Sequence, residues 1–281
     1  LAEWIKVIIL GVVEGLTEFL PISSTGHLIV FSTLLDFHER IRVTFDIFIQ
    51  IGAVFAVLAF YRNDLIWQLR NVQKNPNVRR LWLSIVIAFL PFAVLGMLTH
   101  EWIKQMLFSP GVVALSLIAG GVLLLVVETR YRQRNVPQSD PDETARASHG
   151  ITLRQAVAIG LAQVVALVPG VSRSAASIVG GMAAGMSRTA ATEFSFLLAI
   201  PTLGGATVVE LLGSLKTVEP GDIAYLLVGA LVSAIVAWVA VRWLLRYVAR
   251  NSFVSFAYYR IAAGVIILLL IFAQILPGGV S

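Results

Sequence analysis

Residues 11–31 read GVVEGLTEFLPISSTGHLIVF. Two carboxylates (Glu14 and Glu18), a proline (Pro21), the hydroxyls of Ser23, Ser24 and Thr25, a glycine and His27 interrupt a segment otherwise apolar enough for a membrane. An ionisable group inside hydrocarbon costs about 2.5–3.5 kcal/mol on insertion scales, so such groups face a polar interior and mark function. The stretch reads as one half of an active site, and the fold must supply the other half.

The composition sets the class. Of 281 residues, 58% are hydrophobic and 13% charged, with a mean hydropathy of +0.85, whereas ordinary soluble domains carry about a quarter charged residues. The chain reads as an all-α polytopic membrane protein. Its net charge of +5 needs no nucleic-acid partner, because the basic residues gather in a few polar loops, as cytoplasmic loops do. The absence of cysteine excludes disulfides and thiolate chemistry. The first residues do not make a signal peptide, since Glu3, Glu14 and Glu18 interrupt them.

Along the chain, residues 1–20 are apolar but short, Pro21 stops them, and Ser23–Thr25 are natural caps for a second short helix to about Leu35. Apolar runs follow at about 44–60, 81–98 and 110–128, each near the length that a membrane span requires. Residues 129–150 read as a polar linker. The pattern then restarts: a short run over 151–168, a break at Pro169-Gly170, Ser172-Arg173-Ser174, a Gly/Ala-rich run to about Met186, and spans at about 193–212, 222–244 and 255–276. Residues 1–128 and 151–281 are therefore two repeats joined by the 129–150 linker, with Pro21 aligned over Pro169 and Ser24 over Ser172.

Charge orients them. Loop 61–80 carries Arg62, Arg70, Lys74, Arg79 and Arg80, loop 129–150 carries Arg130, Arg132, Arg134 and Arg146, and loop 245–254 carries Arg246 and Arg250, while the alternate links 99–109 and 213–221 hold only Lys104 and Lys216. These basic loops share the cytoplasmic side only if 151–186 re-enters on its own side. Arg40 and Arg42 are a local exception on the outer side, softened by Asp36, Glu39 and Asp46. Each repeat then is a re-entrant broken-helix hairpin followed by three transmembrane helices. Three crossings invert the second repeat relative to the first, which places a binding site near the midplane, where the two breaks meet.

The chemistry sits at those breaks. Glu14 and Glu18 are four apart and share one helix face, where they can hold a cation or a proton. Ser23, Ser24, Thr25 and His27 stand at a helix N-terminus, whose amides and dipole attract phosphate; the hydroxyls also serve as plain caps. Arg173 offers a planar fork of donors suited to phosphate oxygens, the competing reading being a structural ion pair to Glu18. Of Ser172 and Ser174, one reads as the cap of the following helix. Glu193 and Ser195 either line the cavity mouth or begin a helix. Gln50 and Gln163 are expected to hydrogen-bond between helices, Arg188 reads as interfacial, and His38, His100 and His149 lie in polar links.

EGLTEFLPISSTGHL and PGVSRSAASIVGGMAAGMSRTAATEFSFLLAIP resemble the two signature regions of the bacterial undecaprenyl-diphosphate phosphatase family of the bacitracin-resistance type, and the resemblance covers nearly the whole chain. It implies hydrolysis of undecaprenyl diphosphate to the monophosphate carrier of peptidoglycan synthesis, a divalent cation (Mg²⁺ or Ca²⁺), and residence in the bacterial inner membrane with the site open to the outer, periplasmic side. By motif, Glu14, Glu18, Ser24 and His27 match the first region, with Glu14 and Glu18 the expected metal ligands. Arg173 matches the phosphate-binding arginine of the second, and Ser23, Thr25, Ser172 and Ser174 match polar neighbours. Ala175 and Ser177 stand where glycine and threonine are common. The nucleophile is left open between Ser24, His27 and water, and a homodimer is one arrangement left open. Apart from the resemblance, an inverted-repeat transporter of an anionic substrate would use the same elements.

Overall fold

In hydrocarbon every backbone N–H and C=O must be satisfied within the protein, so a chain this apolar folds as helices or as a closed barrel. The computed structural model describes residues 3–37, 39–133, 150–214 and 218–276, and it is helical, with no strand among them. In chain order the helices are α1 (Glu3–Thr17), α2 (Ser24–Leu34), α3 (Glu39–Phe60), α4 (Arg62–Asn71), α5 (Pro76–Leu107), α6 (Pro110–Gln133), α7 (Leu153–Val164), α8 (Arg173–Ala183), α9 (Arg188–Ser214), α10 (Ile223–Val248) and α11 (Val254–Phe272). Six of them (α3, α5, α6, α9, α10 and α11) are long and apolar enough to cross a membrane. The pairs α1/α2 and α7/α8 are not: 11 to 15 residues each span about 16–23 Å, short of the ~30 Å hydrocarbon layer.

The short pairs fold back on themselves. Lys6 Nζ donates to the Asp36 carbonyl at 2.8 Å, so α2 ends beside the start of α1. Gln155 Nε2 donates to the Ala184 carbonyl at 3.4 Å, so α8 ends beside the start of α7. α1 runs along α10 in the same direction, with Trp4 against Tyr225, Gly11 against Gly229 and Gly15 against Ser233. α7 likewise follows α5, Gly160 meeting Ala88 and Leu167 meeting Gly96. α3 is parallel to α10, and α6 and α11 run antiparallel, with Gly121 on Ala257 and Gly264 on Ala114.

Glycine makes these crossings close. A Cβ on Gly52 of α3 would lie 2.8 Å from the carbonyl carbon of Ala230 on α10 and nearer still to its oxygen. Gly52→Ala is therefore expected to cost about 1–3 kcal/mol by overpacking. A lowered unfolding temperature in detergent would register this, and an unchanged one would mean that the crossing yields.

Several expectations need correction. The spans overrun their apolar stretches, because helix length follows backbone hydrogen bonding rather than hydropathy. Residues 129–133 continue α6 instead of opening the linker, α4 lies within the expected loop 61–80, and α5 runs to Leu107 through the expected link 99–109. The rest of the linker with Arg134, Arg146 and His149, and also His38 and Lys216, lie outside the described residues. Arg188 is buried inside the protein and forked onto Glu128, with Nε 2.7 Å from Oε1 and Nη2 3.0 Å from Oε2. Its guanidinium also lies 4.3 Å from the Tyr131 ring. Gln50 does bond between helices, accepting from Thr207 Oγ1 at 3.3 Å. Gln163, by contrast, is fully buried and its side-chain amide has no partner.

Candidate active site

The two breaks turn in the same way. Ser23 (φ 75°, ψ 97°) and Ser172 (φ 74°, ψ 117°) both adopt positive φ, a conformation that costs a non-glycine residue about 1–3 kcal/mol and that clusters at functional sites. Each hydroxyl then caps the next helix, accepting from Gly26 N at 3.4 Å and from Ala175 N at 3.2 Å. The matching positions are thus Ser23 and Ser172, one residue off the Ser24–Ser172 alignment read from sequence. A single residue separates Pro21 from its cap, against two after Pro169, and no sequence identity marks that difference.

Between the breaks lies a buried polar junction. The backbone of Glu18 still bonds Glu14 O at 2.9 Å, so the two carboxylates share the last turn of α1. Glu18 Oε1 accepts from Arg173 Nη2 at 2.9 Å, and Oε2 accepts from the hydroxyl of Ser24. Arg173 Nη1 donates to the Ser195 carbonyl at 3.0 Å, its guanidinium lies 5.8 Å from the Phe19 ring, and its Nε has no partner. Ser177 and Ser195 hydroxyls are 2.7 Å apart. Ser174 donates to Leu20 O at 2.9 Å and sits 3.0 Å from Ser172, so Ser172 is the cap and Ser174 ties the two breaks together. Phe19 packs edge-on against Phe196 at 5.3 Å, both rings being fully buried.

Glu14 is 1% exposed and neither carboxylate oxygen has a partner. His27 is part-buried one turn after Ser24. Its Nδ1 lies 2.7 Å from the Ser23 carbonyl, which can only accept, so Nδ1 carries the proton in the neutral ring. Nε2 then accepts from the Tyr259 hydroxyl at 2.7 Å. Thr25 points outward and is exposed, and Glu193 is buried near the start of α9.

Residues 7–266 match the family of bacitracin resistance protein BacA. The chain belongs to this family. It is 44% identical over 270 residues to undecaprenyl-diphosphatase 1 of Burkholderia lata, covering 95% of this chain and 96% of that protein. It is 47% identical over 264 residues to undecaprenyl-diphosphatase of Albidiferax ferrireducens (94% of each), and 43% identical over 280 residues to that of Deinococcus radiodurans (99% and 98%).

In this BacA-family chain the fold gathers Glu18, Ser24, Arg173, Ser172 and Ser174 into one bonded cluster, with Glu14 and His27 each one helical turn away. Thr25 is exposed and stands outside that cluster. Sequence reasoning missed Tyr259 and Arg260. Both lie in the apolar run 255–276, where a lone arginine among spans was the signal that could have found them. Ser195 was weighed as a mouth residue or a helix start, yet its carbonyl receives Arg173 Nη1.

Proposed function

We propose that the chain is an undecaprenyl-diphosphatase of the bacterial inner membrane, which releases inorganic phosphate from undecaprenyl diphosphate and returns the monophosphate carrier to peptidoglycan synthesis. The observation that carries this reading is the Glu18 carboxylate held between a hydroxyl of the first break and a guanidinium of the second. Breaking a phosphoanhydride needs an aligned nucleophile and neutralised oxygens. Here Ser24 Oγ attacks the terminal phosphorus while its proton passes to Glu18 Oε2. The bond from that phosphorus to the bridging oxygen breaks, and undecaprenyl phosphate departs. Water then attacks the phosphoserine phosphorus, its proton going to His27 Nε2 once the Tyr259 hydroxyl turns aside; the bond from phosphorus to Ser24 Oγ breaks, Glu18 Oε2 returns its proton to that oxygen, and inorganic phosphate leaves. Arg173, with its unused Nε, and the N-terminal amides of α2 and α8 face the phosphate oxygens throughout.

A divalent cation suits the free oxygens of Glu14. Glu18 has only the lone pairs left by Ser24 and Arg173, and no group of three His, Cys, Asp or Glu that could hold a metal occurs among the described residues. That sparse donor set fits Mg²⁺, which takes one or two carboxylates plus phosphate oxygens and water, better than Ca²⁺. Glu14 and Glu18 would hold the cation, which would supply further neutralisation of phosphate charge. Activity is expected to vanish in EDTA and return with Mg²⁺, and Glu14→Gln is expected to raise the half-saturating Mg²⁺ concentration by about 10–100-fold. Full turnover in EDTA contradicts the metal reading.

The architecture we propose is two inverted repeats, each a re-entrant hairpin and three spans. Three things support it: the fold-back of α1/α2 and α7/α8, their alignment with the oppositely directed α10 and α5, and the matched backbone at Ser23 and Ser172. Arg132 bonding Ser252 at 3.1 Å, and Arg62 lining one cleft with Arg242, gather the basic ends on one side, the cytoplasmic one. The α1/α2 hairpin then dips from the outer side, which gives the site its outward access. Purified protein in detergent tests the function: phosphate release from undecaprenyl diphosphate is expected without any vesicle. No release there, with anion uptake in proteoliposomes, would make the chain a carrier.

A further inference from the structure

Arg260 of α11 has no exposed surface. Its Nη1 donates to the Pro21 carbonyl at 3.1 Å, and its Nη2 donates to the Gly170 carbonyl at 3.1 Å and to the Ser116 carbonyl on α6 at 3.3 Å. Pro21 and Gly170 are the break residues of the two hairpins. One guanidinium thus holds a carbonyl from each break and a third from the helix between them. No carboxylate lies within ion-pair distance of it in any described salt bridge. A buried cation spent on backbone carbonyls at mid-span is costly, and ordinary helix packing gives no return for it.

The surroundings are shaped to admit this side chain. Gly120 lies against the guanidinium: a Cβ there would stand 2.9 Å from Arg260 Cζ and closer still to Nη2. Gly170 (φ +92°) is pressed against α6, where a Cβ would stand 2.7 Å from Val113 O. The carbonyls left free by the interrupted helices need donors. A planar fork on one rigid stem reaches them at fixed separation, which an ammonium cannot do. Next to Arg260 in sequence, Tyr259 bonds His27, so the same turn of α11 touches both breaks and the imidazole.

We propose that Arg260 is a positioning residue: by binding Pro21 O and Gly170 O together it sets the distance between the two breaks, and so brings Ser24 and Glu18 into register with Arg173. The inference rests on the phosphatase reading above. Nη1 and Nη2 are taken by carbonyls, Nε is buried without a partner, and no part of the side chain is exposed, so Arg260 acts on the chemical step and not on substrate affinity.

The test uses purified full-length protein in detergent, with kcat and KM for phosphate release from undecaprenyl diphosphate measured per folded molecule, folding being judged by size-exclusion profile and unfolding temperature. Arg260→Met is expected to lower kcat by about 10²–10³-fold with KM within threefold, as a misplacement of order 1 Å does. Arg260→Lys keeps the charge yet is expected to recover less than a tenth of the lost rate. Gly120→Ala leaves Arg260 in place but displaces its fork, and is expected to lower kcat at least tenfold at unchanged KM, which keeps the proposal testable if Arg260→Met does not fold. A folded Gly120→Ala or Arg260→Met protein with wild-type kcat overturns the proposal. So does a KM rise of tenfold or more at unchanged kcat, which would make Arg260 a substrate ligand, or full recovery by lysine, which would make it a plain charge. An inactive wild-type protein in the same assay overturns the phosphatase reading instead.

Discussion

Arg173→Ala is expected to lower phosphate release by about 10³-fold or more, the range seen when a phosphoryl-transfer site loses its arginine clamp. Two losses combine. The terminal phosphate loses its only cationic side chain from the second break, and Glu18 keeps a buried charge without its 2.9 Å partner. The second loss is a stability effect of about 3–5 kcal/mol when one member of a buried pair is removed, so the variant needs its folded fraction measured. Arg173→Lys separates the two. It retains a charge near Glu18 but not the fork, and is expected to recover stability while kcat stays at least tenfold down. Turnover near wild type in folded Arg173→Ala would remove Arg173 from the site.

Ser24→Ala is expected to abolish turnover to below about one part in 10³, and Ser23→Ala to cost far less, because Ser23 only caps α2 at a long 3.4 Å bond. The contrast between neighbours isolates the hydroxyl that faces Glu18. Rapid quenching during turnover, followed by peptide mapping, is expected to find phosphate on Ser24. If Ser24→Ala keeps a tenth or more of the rate, and ¹⁸O from water enters the released phosphate with no phosphoenzyme formed, then water activated by His27 is the nucleophile. Phosphate mapped to His27 would assign the role to the imidazole.

The residues of the first break were legible because their cost was visible: Glu14, Glu18 and His27 stand in an apolar stretch where nothing but a polar interior tolerates them. Arg173 was legible on the same ground, and the ion pair to Glu18 weighed from the sequence is present, with Nε left without a partner. The six spans followed from hydropathy, which reports side chains. Their true ends did not, because backbone bonding carries α5 and α6 past the apolar limits. The partner of Arg188 was not legible for a related reason: Glu128 lies 60 positions away in the chain. Arg260 shows the limit most plainly. Its partners are backbone carbonyls of Pro21, Ser116 and Gly170, and no residue type advertises a carbonyl left free by a broken helix.

The central claim is that one substrate phosphate is gripped by both breaks at once. A structure of the protein with a methylene-bridged, non-hydrolysable analogue of undecaprenyl diphosphate tests it directly. The account predicts the terminal phosphorus group within hydrogen-bond distance of both the Ser24 hydroxyl and the Arg173 guanidinium, with the prenyl chain leading out into lipid. A headgroup bound away from either residue, or held by one break alone, would contradict it.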